Sequence, residues 1–357
     1  MRRDGNQAGP RPLVSGRHHL ARTLPAFVLI AVAALVTVFT HPSPGNPPTL
    51  ARNPSTLAGN PSTFARNRSI RSDNPDLRSG NPLAAGRPGV VIEVHTVTVE
   101  GLRRSYRSVV SVQTTARVPL VIVLHGRGQS GSVAASQTGF LGLAQRRQAV
   151  LVFPDGEQRS WNAGYGCCGF AGSRRVPDIP FVAAIVADAV HRWPVDVERV
   201  YLVGYSNGGK LAYSAVCAHP KLFAAVATYG AVPLSPCPPG TPPVPFLLAA
   251  GTADRVLPFH GRPGGHPALP AVPQAVNWLR TQDDCPTRAQ TDRDDSAVLQ
   301  RWADCAGGAE VESVVYSGWS HAWPIANARS GSPAVATVMW AFLSRHDTPS
   351  PVPHRAA

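Results

Sequence analysis

The chain has 357 residues, 43% of them hydrophobic, with 36 prolines and 32 glycines, which is enough apolar material for one large core domain or two small ones joined by many loops. A net charge of +13 and a pI near 10.3 raise a nucleic-acid or membrane-surface reading. Residues 1–88, however, hold eleven arginines against three aspartates, and no basic stripe with interleaved aromatics follows, so nucleic-acid binding is set aside.

In chain order, the first feature is the run Leu24 to Thr40, apolar apart from Pro25 and the two threonines and preceded by Arg2, Arg3, Arg11, Arg17 and Arg22. A charged start followed by an apolar run is an export signal, and the length also suits a retained signal anchor. Either way the expectation is that residues 1–40 direct export and that the remainder works outside the cell. From Asn46 an asparagine recurs every seven residues, at Asn53, Asn60, Asn67, Asn74 and Asn81. Proline follows all but Asn67 and would break a helix once per repeat, which excludes a coiled coil. Residues 41–88 are therefore expected to be a disordered tether. Asn67-Arg68-Ser69 within it fits a glycosylation sequon.

Residues 89–350 are expected to form the catalytic domain and 351–357 a disordered tail. The runs Val90 to Val99 and Tyr106 to Val112 read as an opening pair of strands. Pro119 to Leu124 and Ala149 to Phe153 are short apolar runs without alternation, as central strands covered on both faces require. A helical pattern, Phe181 to His191, precedes the strand Arg199 to Val203. The helix Lys210 to Ala218, the strands Ala225 to Tyr229 and Phe246 to Ala250, and a closing helix Ala334 to Leu343 follow. Strand and helix alternate, so the predicted fold class is α/β, a mostly parallel sheet with helices on both faces. Function in such sheets collects at the carboxyl ends of the strands.

Cys167, Cys168, Cys217, Cys237, Cys285 and Cys305 all lie beyond the export segment, and in an oxidising compartment an even set points to disulfides. The expected pair is Cys285 with Cys305; the others stay open. No C-x-x-C spacing or histidine-rich tract marks a metal site.

Four segments carry chemistry. Gly204-Tyr205-Ser206-Asn207-Gly208 stands between a predicted strand and helix, where a sharp turn can expose a serine oxygen to a base while flanking glycines permit close packing. His125-Gly126-Arg127-Gly128 directly follows a strand. A tetrahedral oxyanion needs backbone N–H donors; Gly126 or Arg127 is expected to supply one and Asn207 the other. Asp254 ends Gly251-Thr252-Ala253-Asp254, where a carboxylate can orient an imidazole. His321 sits late in the chain between Trp319 and Trp323, before the last helix. Ser206, Asp254 and His321 stand in the chain order of α/β-hydrolases. Trp161, Trp319 and Trp323 are the candidates for an apolar substrate wall.

From Arg117 to about Phe342 the chain resembles the secreted polyhydroxybutyrate depolymerase and feruloyl esterase-like α/β-hydrolases. The residues carrying the likeness are Leu124 to Ser130, Phe153-Pro154-Asp155-Gly156, Trp161 to Gly164 with Cys167-Cys168-Gly169, Gly204 to Gly209, Gly251 to Asp254 and His321 to Pro324. The resemblance implies a serine esterase acting on polyester, feruloyl or acetyl esters through Ser206, His321 and Asp254, without metal or organic cofactor. Two positions depart from the family pattern: Arg127 stands where a small residue or cysteine is common, and Lys210 where methionine is common. A serine peptidase on the same fold and a non-catalytic surface-binding protein are the competing readings; a binding module has no need of the serine, acid and histidine together.

Overall fold

A computed structural model describes residues 89–325 and 334–348; the predicted export segment, the heptad tether and the C-terminal tail lie outside the described residues. Ten strands form one sheet: β1 (Val90–Val99), β2 (Leu102–Ser111), β3 (Val118–Leu124), β4 (Val150–Pro154), β5 (Val195–Tyr205), β6 (Ala225–Tyr229), β7 (Phe246–Gly251), β8 (Gln290–Arg293), β9 (Ala297–Trp302) and β10 (Val311–Tyr316). The main helices are α1 (Gly131–Gln137), α2 (Leu141–Gln145), α3 (Gly169–Arg174), α4 (Asp178–Arg192), α5 (Asn207–Ala218), α6 (Val272–Gln282) and α7 (Val335–Leu343).

The strand order is β1-β2-β4-β3-β5-β6-β7-β10-β9-β8. From β4 to β10 neighbours run parallel, and antiparallel pairs close both edges. This is the α/β-hydrolase fold. Every residue of β3 is buried, and its side chains alternate between two cores. Leu120, Ile122 and Leu124 pack with α4 and α5 residues such as Ile185 and Leu211, while Val121 and Val123 pack with Met339 and Phe342 of α7. A parallel strand buried on both faces needs no polar alternation, which is why its sequence reads as an unbroken apolar run.

The antiparallel trio β8, β9 and β10 is not announced by hydrophobic pattern. β8 consists of four polar residues at the sheet edge, and buried Glu312 and Ser313 interrupt β10. Burial of that carboxylate is compensated by Arg345, which donates to Glu310 at 2.6 Å and to Glu312 at 2.7 Å. Disulfides join Cys285 to Cys305, as expected from the sequence, and also Cys217 to Cys237 and the adjacent Cys167 and Cys168.

One buried ion pair ties the outer strands to the loop beside the catalytic edge. Arg104 of β2 donates to Asp178 at the start of α4 at 2.7 Å, and both side chains are excluded from water. Asp178 also accepts from the N–H of Asn162 at 2.7 Å, and the Arg104 guanidinium lies 4.2 Å above the Phe181 ring. Arg104→Met leaves the carboxylate buried without its cation, so a loss of about 3–5 kcal/mol is expected. Urea denaturation checks it; a change below about 1 kcal/mol would place the pair in an effectively solvated site.

Candidate active site

The nucleophile turn is built by close packing. β5 ends at Tyr205, α5 begins at Asn207, and Ser206 between them has φ 52° and ψ −115°, a strained backbone that persists only where its surroundings enforce it. The N–H of Ser206 donates to the carbonyl of Tyr229 at 2.9 Å, and the Ser206 carbonyl accepts from Lys210 N–H at 3.1 Å. A Cβ on Gly208 would lie 2.5 Å from the Leu124 carbonyl oxygen, and one on Gly209 would lie 2.5 Å from Ala231 Cβ. Glycine is thus required at both positions because helix and strands meet backbone to backbone.

The Asp254 and His321 loops leave neighbouring parallel strands. β7 and β10 pair over Phe246 to Gly251, so the chain leaves both at the same sheet edge, beside the end of β6. His321 Nε2 lies 2.9 Å from Ser206 Oγ, and its Nδ1 lies 2.6 Å from Asp254 Oδ2. An ionised carboxylate can only accept, so Nδ1 carries the proton and Nε2 is left to accept from the serine hydroxyl. Asp254 is 4% exposed, and its other oxygen, Oδ1, accepts from the N–H groups of Val256 at 2.8 Å and Leu257 at 2.7 Å. The histidine loop is held from below by two tyrosines: Tyr205 Oη donates to the His321 carbonyl at 2.8 Å and Tyr229 Oη to the Ser320 carbonyl at 2.6 Å. The sequence patterns assign neither tyrosine this role: Tyr205 fills a variable position of the nucleophile motif, and Tyr229 ends an apolar strand.

The loop after β3 carries both oxyanion-donor candidates, and their N–H groups are differently engaged. The Gly126 N–H is already bonded to Gln129 Oε1 at 3.0 Å, Gly128 N–H donates to the Arg159 carbonyl at 2.7 Å, and Gln129 N–H to the Gly126 carbonyl at 3.1 Å. Arg127 is left with the free N–H of this turn among the described residues. Asn207, as the first residue of α5, has no intrahelical partner for its own N–H. Buried His125 braces the loop: its Nδ1 faces the Gly126 carbonyl at 2.8 Å and its Nε2 faces the Gly156 N–H at 2.9 Å. A carbonyl accepts and an N–H donates, which assigns the neutral Nδ1–H tautomer. Burial lowers the ring pKa, outweighing the Gly126 carbonyl, so the brace stays neutral.

Of the three tryptophans, Trp161 is a correction. It is fully buried, its indole N–H donates to the His125 carbonyl at 2.8 Å, and it offers no wall to a substrate; an interior site that satisfies the indole N–H makes it a strut. Trp323 is half-buried, with its ring centroid 5.7 Å from that of Tyr205 and 5.9 Å from that of Tyr229. Trp319 is half-buried as well, and its indole donates to the Ala322 carbonyl at 2.8 Å. The Asn207 side chain, expected to matter only through its backbone, clamps the Trp161 peptide: Oδ1 accepts from Trp161 N–H at 2.8 Å, and Nδ2 donates to the Trp161 carbonyl at 3.0 Å. Asn207→Ala strands the buried Trp161 N–H, while the Trp161 carbonyl keeps the Cys168 N–H at 2.9 Å, so about 1–3 kcal/mol of stability should be lost. A denaturant midpoint unchanged from the parent would show that the clamp is dispensable.

Chemically, the arrangement is a hydroxyl with a base at hydrogen-bond distance and a buried acid behind the base. Among the described residues, no group of three or more His, Cys, Asp or Glu side chains is placed to hold a metal ion, and no helix is long and apolar enough to cross a membrane.

Comparison with known proteins gives the activity class. Residues 106–236 match a family model described as Esterase PHB depolymerase. NocK of Nocardia uniformis subsp. tsuyamanensis, whose description names it an esterase, is 28% identical over 253 residues, covering 64% of this chain and 73% of that protein. Feruloyl esterase C of Emericella nidulans is 30% identical over 149 residues. That alignment covers 40% of this chain and 51% of the relative, so the chain spans about half the length of that esterase. A solved acetyl xylan esterase from Aspergillus awamori aligns with TM-score 0.48 at 15% identity, covering 65% of this chain and 95% of that one.

Proposed function

From the premise that this chain is an ester hydrolase carrying the Esterase PHB depolymerase pattern over residues 106–236, we propose that it is exported and cleaves carboxylic esters through an acyl-enzyme on Ser206. The observation that carries this reading is the continuous relay from Asp254 Oδ2 to His321 Nδ1 at 2.6 Å and from His321 Nε2 to Ser206 Oγ at 2.9 Å.

His321 takes the hydroxyl proton as Ser206 Oγ attacks the ester carbonyl, and the resulting imidazolium is stabilised by the Asp254 carboxylate. Negative charge develops on the former carbonyl oxygen, where the N–H groups of Arg127 and Asn207 receive it; each such donor is worth on the order of 10²–10³ in rate. His321 then protonates the leaving alkoxide. Water, deprotonated by the same imidazole, attacks the acyl-serine and releases the acid. Nδ1 keeps its proton through every step, held by the buried carboxylate, while Nε2 takes and returns the other.

The substrates proposed are hydroxyalkanoate polyesters or the feruloyl and acetyl esters of plant cell walls, encountered outside the cell after export. Parallel assays on hydroxybutyrate oligomers, methyl ferulate and acetylated xylan choose among them. The acyl-enzyme step is tested by a fluorophosphonate, which should add its mass to the peptide containing Ser206 and to no other. Absence of the adduct, or labelling elsewhere, removes the reading.

A further inference from the structure

Three cations sit on three separate segments around the nucleophile turn. Lys210 lies on the first turn of α5, four residues after Ser206, and its Nζ is 3.8 Å from Cys167 Sγ in the loop over that turn. Arg127 belongs to the loop that offers the oxyanion donor; its side chain lies along the same overlying loop, where a Cβ on Gly169 would be 3.3 Å from Arg127 Cδ. Arg262 reaches back to the loop after Asp254, its guanidinium donating to the carbonyls of Arg255 at 3.3 Å and Val256 at 3.2 Å.

None of the three takes part in an ion pair among the described residues, where the pairs found join other side chains. Their fields overlap: the Lys210 pKa is lowered to about 8, by burial first and then by the charges of Arg127 and Arg262. Like charges gathered without a counter-charge oppose folding, and a half-buried ammonium without a carboxylate is costly. Here they stand on the segments that carry Ser206, the candidate oxyanion donor and the loop after Asp254, between which an ester must dock.

We propose that the ester this site prefers carries a free carboxylate, held by Lys210 together with Arg127 and Arg262 while the neutral ester carbonyl lies at Ser206. The proposal rests on the ester-hydrolase reading and adds the charge of its substrate. A carboxylate suits these groups, since an arginine fork takes both its oxygens and an ammonium takes either one.

The test uses matched esters that differ in a single charge, followed by pH-stat: monomethyl adipate against methyl hexanoate for the acyl side, and 3-acetoxybutanoate against sec-butyl acetate for the alcohol side. In at least one pair the wild type should favour the anion in kcat/KM by about tenfold or more. Lys210→Met should lower that ratio by about tenfold, Lys210→Arg should keep it, and added salt should shrink it. The ratio should also fall as pH rises through about 8, where Lys210 loses its proton; the charges facing it are those of Arg127 and Arg262. Equal or reversed preference in both pairs, or a ratio untouched by Lys210→Met, overturns the proposal. Calorimetric binding of the same pairs to the Ser206→Ala protein reads the preference without turnover. A protein that binds anions selectively yet hydrolyses nothing contradicts the catalytic reading and upholds this one; one that hydrolyses neutral and anionic esters alike does the reverse.

Discussion

Ser206→Ala should reduce turnover of a short-chain nitrophenyl ester by roughly 10⁴–10⁶ in kcat while leaving the fold intact. The alanine removes one oxygen. It keeps the Ser206 N–H bond to the Tyr229 carbonyl and the Lys210 N–H bond back to residue 206, and it occupies the same positive φ at similar cost because both residues carry a Cβ. Thermal midpoint and circular dichroism should therefore match the parent closely. What is lost is the atom His321 activates at 2.9 Å, and among the described residues no other serine or threonine lies within hydrogen-bond distance of that imidazole. Residual activity reports the remaining oxyanion donors and binding alone. Wild-type rates in this variant would remove Ser206 from the chemistry.

Asp254→Asn should cost about 10⁴ in kcat for a different reason, a wrong tautomer instead of a missing nucleophile. The carboxylate oxygen Oδ1 receives two backbone N–H bonds, from Val256 and Leu257. An asparagine will keep its carbonyl oxygen there, since an amide nitrogen facing two donors would clash. Its NH₂ group must then face His321 Nδ1, which becomes the acceptor, and the ring proton moves to Nε2. An Nε2–H cannot take the proton of Ser206, although no side chain has shrunk. Steady-state kinetics on the same nitrophenyl ester measures this, and a variant within tenfold of wild type would exclude the orienting role. Asp254→Ala should be no less impaired in kcat and should lose stability besides, because two buried peptide N–H groups lose their acceptor.

Local chemistry was legible without coordinates where it depends on neighbours along the chain. The run Pro119 to Leu124 announces β3 because a strand covered on both faces needs no polar side chain. Gly204 to Gly209 announces the nucleophile turn because the approach of Gly208 to the Leu124 carbonyl and of Gly209 to Ala231 leaves no room for a Cβ. Strands β8 and β10 are hidden by polar residues whose partners lie elsewhere: Glu312 is tolerated because Arg345, just beyond α7, and Arg301 of β9 reach it. Trp161 was misplaced because nothing adjacent to an indole in sequence reveals that its N–H meets the His125 carbonyl inside the molecule.

The amino-acid order by itself determined the fold class, the Ser206 turn and the rank of Asp254 and His321 after it, since each is encoded in short-range patterns of apolar, glycine and turn residues. Only the tertiary structure decided that β7 and β10 are neighbours, which brings Asp254 and His321 to one edge. It decided too that Gln129 occupies the Gly126 N–H and leaves that of Arg127, and that Lys210 of α5 reaches the Cys167 loop. Such outcomes depend on which distant segments pack side by side, and hydrogen bonds and charges act over a few ångströms of space whatever the separation along the chain.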